Sequence, residues 1–274
     1  KNADYVDALA AMGFGFIEVG TLTPRPQPGN PKPRMFRLKT EQAIINRLGF
    51  NNKGIEQACE NIGKLKTRGV LGINIGKNFD TPAQEANQDY IHCLRRACQL
   101  ADYITVNISS PNTPGLRNLQ FGDEFNSLLD ELKEEQARLQ AQHNIYTPIA
   151  VKLAPDMTQE QIVSCCESLL SRQFDGVIAT NTTIDKSVLT SSPFAEEAGG
   201  LSGAPLSEKS CEVLQCIKAE VGERMPIIGV GGIMSADHAQ QRLTAGADLL
   251  QIYTGFIYQG PALIEEILAG IAAD

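Results

Sequence analysis

The sequence predicts a parallel α/β fold, a (β/α)8 TIM barrel whose first strand is missing from this chain. Three observations predict it. Seven short β-branched runs recur along the 274 residues, and they are continuously apolar, as strands buried on both faces require. Amphipathic helical patterns lie between them, and strand–helix alternation of this kind makes a parallel sheet. Polar residues stand at nearly every strand end, which suits a barrel better than an open doubly wound sheet.

The chain starts at Lys1 and enters a helical pattern at once (DYVDALAAMGFG, 4–15), with no strand before it. The predicted strands are Phe16–Gly20, Val70–Ile75, Tyr103–Ser109, Ile149–Ala154, Gly176–Asn181, Ile227–Gly232 and Leu249–Thr254. An eight-stranded barrel needs one more, and its expected place is upstream of Lys1. Thr81-Pro82-Ala83-Gln84 and Thr158-Gln159-Glu160-Gln161 read as capping boxes that start helices. Residues 21–40 hold five of the 14 prolines and predict an irregular excursion or an edge hairpin. Residues 182–203 predict a long loop, of the kind that tends to carry function. Nothing divides the chain, so 1–274 is read as one domain.

Composition excludes several classes. A hydrophobic share of 42% and a net charge of −8 are those of a globular protein without the basic face that nucleic acid demands. Seven cysteines at 59, 93, 98, 165, 166, 211 and 216 form no C-x-x-C pair, and predict reduced, mostly buried thiols. His92, His143 and His238 show no metal-ligand spacing and are expected at the surface. No apolar run reaches the roughly 20 residues that span a bilayer, and no signal-peptide pattern is visible.

In barrels of this kind the site is built from the C-terminal strand ends. Here those ends are Thr21, Asn74, Asn107 with Ser109-Ser110, Lys152, Thr180-Asn181, Gly231-Gly232 and Tyr253-Thr254. Amides, hydroxyls and one cation suit a planar polar heterocycle, because Asn offers both donors and an acceptor. The GVGGI turn at 229–233 opens a helix and can hold a phosphate on backbone N–H groups; glycines that merely permit tight turns explain it too. The loop NISSPNTPGLR (107–117), its backbone fixed by two prolines, presents Ser110 and Asn112, as a base and a ligand-reading amide or as local capping groups. Lys152 interrupts an apolar strand and points either at an electron-rich ligand or into a buried ion pair. Asn46, in INRLGFNN, is ambiguous on physics alone.

Long collinear stretches then match one family: VGTLTPRPQPGNPKPR, INRLGFNN, GVLGINIGKN, VNISSPNTPGLR, IAVKLAPD, GVIATNTT, GGLSGAPL, IIGVGGI and QIYTGFIYQGP. Over almost its whole length the chain resembles the class 2, quinone-dependent dihydroorotate dehydrogenases. The resemblance implies an FMN-binding barrel that oxidises (S)-dihydroorotate to orotate in pyrimidine biosynthesis and passes electrons to ubiquinone or menaquinone. It also implies a peripheral membrane enzyme on the cytoplasmic side of the inner membrane, docked through an N-terminal helical extension that this chain lacks. Carried over by position, FMN would be held by Lys1, Thr21, Asn74, Asn107, Lys152 and Thr180, with its phosphate on Gly203, Gly232, Tyr253 and Thr254. Substrate would meet Lys1, Asn46, Arg47, Leu48, Gly49, Phe50, Asn107, Asn112, Asn181 and Thr182. Ser110 matches the catalytic base and, where soluble relatives carry Cys, marks the quinone-dependent class. Arg37 and Tyr253 resemble residues of the quinone tunnel. The rivals are another FMN barrel, such as a dihydrouridine synthase, and a non-catalytic phosphate-binding barrel.

Overall fold

The computed structural model describes residues 1–66, 69–113, 115–190 and 192–272. Each of the seven predicted runs forms a strand. These are β1 (Phe16–Leu22), β4 (Val70–Ile75), β5 (Tyr103–Asn107), β6 (Ile149–Leu153), β7 (Gly176–Ala179), β9 (Ile227–Val230) and β10 (Leu249–Gln251). They pair in parallel in the order β1-β4-β5-β6-β7-β9-β10. The four short interruptions that sequence alone does not resolve lie at the C-terminal ends: β5, β7, β9 and β10 each stop two or three residues early, where the chain turns to present site residues.

The sheet curls far enough for its two edges to touch through side chains. Gln251 on β10 donates to the Glu18 carboxylate on β1 at 3.0 Å. The eighth strand that would close the cylinder is not among the described residues.

Parallel pairing buries both faces of each strand, and alternation divides the side chains. Outward residues such as Ile73, Ile104, Val106, Val151 and Val177 join the main core beneath the helices. Those helices are α2 (Gly54–Ile62), α3 (Ala86–Ala97), α4 (Gly122–His143), α5 (Gln159–Ser171), α6 (Ser207–Val221) and α7 (Ala236–Thr244). Burying each Leu, Ile or Phe side chain there contributes about 1.5–3 kcal/mol. Inward residues form a smaller cluster of Ala150, Ile178, Ile228 and Val230, with Phe16 and Tyr103 against it. Above that floor the inward positions turn polar, and this switch places the site at the strand ends.

The edge hairpin expected within 21–40 forms, and two other expectations need correction, the first being the long loop at 182–203. The 21–40 excursion contains β2 (Met35–Leu38), which forms a hairpin with β3 (Ala43–Asn46); β8 (Gly200–Gly203) completes a three-stranded antiparallel sheet. Strands β3 and β8 read as turn and loop because each is four residues long and β8 begins and ends in glycine. The long loop is therefore shorter than 182–203, and Ser191 within it lies outside the described residues. The second correction concerns Thr81. It caps no helix; its Oγ1 donates to Asp89 at 2.7 Å while α3 starts later, at Ala86. The Thr158–Gln161 capping box is present as read.

All seven cysteines are free thiols, four of them buried. Burial pushes the Cys165 and Cys166 thiols up to about 12, so both stay protonated. His92 is exposed, whereas His238 is half-buried and its Nδ1 accepts from the Met234 N–H at 3.2 Å. No helix among the described residues is long and apolar enough to cross a membrane.

Candidate active site

Strand ends from β1, β4 and β5 meet in one hydrogen-bonded set of buried side chains. Thr21 Oγ1 donates to Asn74 Oδ1 at 2.6 Å, and Asn107 Nδ2 donates to Thr21 Oγ1 at 2.9 Å. Asn181, just past β7, extends the set by donating to Asn107 Oδ1 at 3.3 Å and to Ser109 Oγ at 3.0 Å. Behind it the Tyr90 hydroxyl of α3 donates to the Asn107 carbonyl at 2.9 Å, which fixes the end of β5 from the helical layer. Amides held this way are preorganised to read a ring with several N–H and C=O groups.

One level deeper lies Glu18, mid-strand in β1. It accepts from Asn74 Nδ2 (2.8 Å), Thr105 Oγ1 (2.7 Å), the Tyr103 hydroxyl (3.1 Å) and Gln251 Nε2 (3.0 Å). Lys152, paired in register with Asn107, is the cation of this interior. Burial lowers its pKa and the Glu18 charge opposes that shift. Its ammonium makes no hydrogen bond or ion pair among the described residues, so the buried ion pair read as one alternative for Lys152 does not form. An interior ammonium without protein acceptors is costly, and it fits an electron-rich ligand.

The 107–117 loop carries Ser110, buried at 5% exposure. Its Oγ accepts the Asn112 N–H at 3.2 Å, and Asn112 Nδ2 reaches Asn46 Oδ1 on β3 at 3.4 Å. Pro114 of this loop lies outside the described residues. What holds the loop is Arg117, which donates from Nε to the Ser109 carbonyl (3.0 Å), from Nη2 to the Thr182 carbonyl (2.9 Å) and from Nη1 to Asp156 (2.8 Å). Asp156 also accepts from Lys209 Nζ at 2.9 Å, from the Ile184 N–H at 2.9 Å and from the Thr183 hydroxyl. Burial alone would raise the Asp156 pKa; the hydrogen bonds from Thr183, Lys209, Ile184 and Arg117 outweigh it and hold the carboxyl below its ordinary value.

The remaining predicted residues divide. Thr182 Oγ1 is buried without a hydrogen-bond partner among the described residues, and Thr180 is buried as well. Arg47 turns its guanidinium away, to Glu197 at 2.7 Å and over the Phe36 ring, so within 46–50 the amide of Asn46 and the backbone remain for a ligand. Lys1 is exposed and makes no hydrogen bond among the described residues; Arg34 is the like charge beside it. Gly203 and Gly232 both have positive φ (98° and 70°), and a Cβ on Gly232 would lie 2.2 Å from Ser207 Cα. The Gly232 turn is thus pressed onto the start of α6, in a close approach that a side chain would prevent. Thr254 Oγ1 donates to Ser202 Oγ at 2.9 Å next to Gly203, while Tyr253 is exposed. Arg37 lies over the Tyr258 ring and donates to the Ile257 carbonyl at 3.0 Å. No cluster of His, Cys, Asp or Glu among the described residues has the makings of a metal site.

The whole chain, residues 1–274, matches the family model described as dihydroorotate dehydrogenase. The chain belongs to the dihydroorotate dehydrogenase family. A relative from Marinobacter nauticus, named dihydroorotate dehydrogenase (quinone), is 58% identical over 271 residues, covering 99% of this chain and 80% of the relative. A Vibrio cholerae relative of the same name is 54% identical over 271 residues, 99% of this chain and 81% of its own. Among solved structures, the Eimeria tenella DHODH in complex with ferulenol superposes with a TM-score of 0.93 at 37% identity, covering 99% of this chain and 77% of that one. Membership brings the (β/α)8 barrel and a flavin cofactor with it.

Sequence reasoning passed over Glu18, Arg117 and Asp156. Glu18 carries the same signal that singled out Lys152, a charge inside an apolar strand (FIEVG). Nothing comparable marks Asp156 or Arg117, whose importance comes from partners 39 and 65 residues away along the chain.

Proposed function

We propose that the chain oxidises (S)-dihydroorotate to orotate with FMN and passes the electrons to a membrane quinone, the oxidative step of pyrimidine biosynthesis. Residues 1–274 act as one catalytic domain. The observation that carries the proposal is the pairing of Asn74, Asn107 and Asn181 amides with an unpartnered interior ammonium at Lys152. The residues fit FMN: an isoalloxazine ring has an electron-rich N1/O2 edge for Lys152 and polar atoms for the amides, and its phosphate suits the glycine backbones at 203 and 232. Lys1, Thr21, Thr180, Tyr253 and Thr254 complete the proposed FMN contacts.

When bound, FMN would supply the hydride acceptor for dihydroorotate and the electron donor for quinone. The protein supplies the rest. Asn46, Asn112, Asn181 and Thr182 read the dihydroorotate ring, and the free Thr182 hydroxyl is an acceptor or donor not yet spent. Leu48, Gly49 and Phe50 border the same ligand, and Lys1 offers a cation to its carboxylate. Ser110 Oγ takes the proton from C5. A neutral serine can take that proton only by passing its own hydroxyl proton on, so Ser110 acts through a proton relay; its Oγ is buried and accepts the Asn112 N–H, which stabilises the alkoxide form. Arg117 holds the serine loop to the Thr182 segment, which keeps base and ring-reading groups in one geometry.

Because a quinone lives in a lipid phase, the enzyme works as a peripheral protein at the cytoplasmic face of the inner membrane. Arg37 and Tyr253 line the approach of ubiquinone or menaquinone. The net charge of −8 supports partners other than nucleic acid.

The test is anaerobic mixing of the flavin-loaded protein with dihydroorotate, then with a quinone or fumarate, followed by flavin absorbance. Bleaching by dihydroorotate and recovery with quinone alone is expected; a flavin that dihydroorotate never bleaches overturns the proposal. Ser110→Ala is expected to slow the bleaching by about 10²–10⁴ while leaving flavin bound, and an unchanged rate removes Ser110 as the base.

A further inference from the structure

Arg242, in the last turn of α7, is the bulkiest of the fully buried side chains, at 1% exposure. A single nitrogen of its guanidinium binds two separate pieces of chain. Nη2 donates to the Ser207 carbonyl, to Ser207 Oγ at 3.1 Å, to Ser210 Oγ at 2.9 Å and to the Gly231 carbonyl at 3.1 Å. Ser210 Oγ lies 2.8 Å from that same Gly231 carbonyl. The start of α6 and the Gly231–Gly232 turn are therefore tied together from beneath.

The charge of this clamp is left unbalanced. Nε and Nη1 are buried and, the adjacent Cys211 thiol apart, have no hydrogen-bond partner among the described residues. No carboxylate pairs with Arg242 among the described residues; the Cys211 thiol is the ionisable group beside it. A buried cation is ordinarily paired within the protein or balanced by a ligand. The groups above it also favour an anion: α6 is 15 residues long and begins at Ser207 with its positive dipole end, and the positive-φ backbone of Gly232 is pressed against that end.

We infer that Arg242 is a positioning residue for the phosphate of the bound flavin mononucleotide, fixing the Gly231–Gly232 turn on the α6 N-terminus and supplying the buried positive charge that a phosphomonoester balances. The inference rests on the phosphate reading of Gly203, Gly232, Tyr253 and Thr254 given above. Arg242 acts through the turn and not by contact, because its guanidinium is fully buried and Nη2 is already engaged by protein acceptors.

The test removes the flavin from the full natural protein and measures the Kd of FMN and of riboflavin, which lacks the phosphate. The wild-type protein is expected to bind FMN at least about a hundredfold more tightly. Arg242→Met is expected to raise the FMN Kd at least about tenfold and the riboflavin Kd less than about twofold, and Arg242→Lys to fall between. A variant that keeps the wild-type ratio, or weakens both flavins equally, overturns the inference and leaves the phosphate site standing. A wild-type protein that binds riboflavin as tightly as FMN overturns the phosphate site itself. Should Arg242→Met fail to fold, Ser210→Ala decides: it removes one acceptor of the guanidinium and one contact to Gly231, so a reduced ratio supports the clamp and an unchanged ratio refutes it.

Discussion

Removing the Asp156 carboxylate is expected to loosen the active-site loop and destabilise the fold together. Its side chain is 11% exposed, and Arg117 and Lys209 opposite it are 20% and 34% exposed. Taking away one member of a buried pair leaves an uncompensated charge and costs about 3–5 kcal/mol. Lys209 recovers solvent readily, and an exposed pair is worth about 0–1 kcal/mol, so the Arg117 half dominates. Asp156→Ala is therefore expected to cost about 3 kcal/mol. The chain has no tryptophan, so urea unfolding is best followed by far-ultraviolet circular dichroism. Arg117, freed from its partner, loses its hold on the Ser109 and Thr182 carbonyls, and kcat for dihydroorotate is expected to fall about 10–100-fold. Arg117→Met in a double-mutant cycle should show a coupling of about 0.5–3 kcal/mol. The pH dependence has a definite sign. The folded pKa of Asp156 lies below its ordinary value, so its contribution is present above the unfolded pKa of about 3.9 and fades as pH falls through the folded value. A loss under about 1 kcal/mol with kcat within about twofold of wild type would refute the reasoning and make the cluster an ordinary solvated ion pair.

Two further predictions concern buried charge. Lys152→Met is expected to stabilise the flavin-free protein by about 1 kcal/mol, because it removes a half-buried cation with no hydrogen-bonding partner among the described residues, yet to slow flavin reduction by dihydroorotate about 10–10³-fold. Since the folded pKa of Lys152 is lowered, flavin-free wild type should gain stability as pH rises from that folded value toward about 10.4, and the Met variant should not; thermal melts across pH check this. Glu135 is held at about 2 by hydrogen bonds from Arg95 and Arg138, both half-exposed. Glu135→Gln is expected to cost about 1 kcal/mol near neutral pH after solvent screening, a difference that vanishes as pH falls from about 4.3 toward 2 in acid unfolding.

The sequence by itself determined the repeating parallel architecture, the end of the barrel where chemistry gathers and the family. Those features are written locally: an apolar run such as IAVKLA has one favourable burial, and an Asn or Ser following it emerges at the same rim wherever the strand sits. Lys152 was legible because a charge inside an apolar strand contradicts its surroundings, and Glu18 carried the same mark. Only the tertiary structure decided that Ser109 joins the amide network while Ser110 stays outside it, that Asp156 anchors Arg117, and that Arg242 lies under the glycine turn. Strands β3 and β8 became strands because they pair with each other across 158 residues, as Ile44 and Ser202 do. Short segments have little local preference, and an arginine looks the same in sequence whether it faces water or clamps two turns. Long-range contact settles such cases, because the free energy of a buried polar group depends on the partners that folding brings to it.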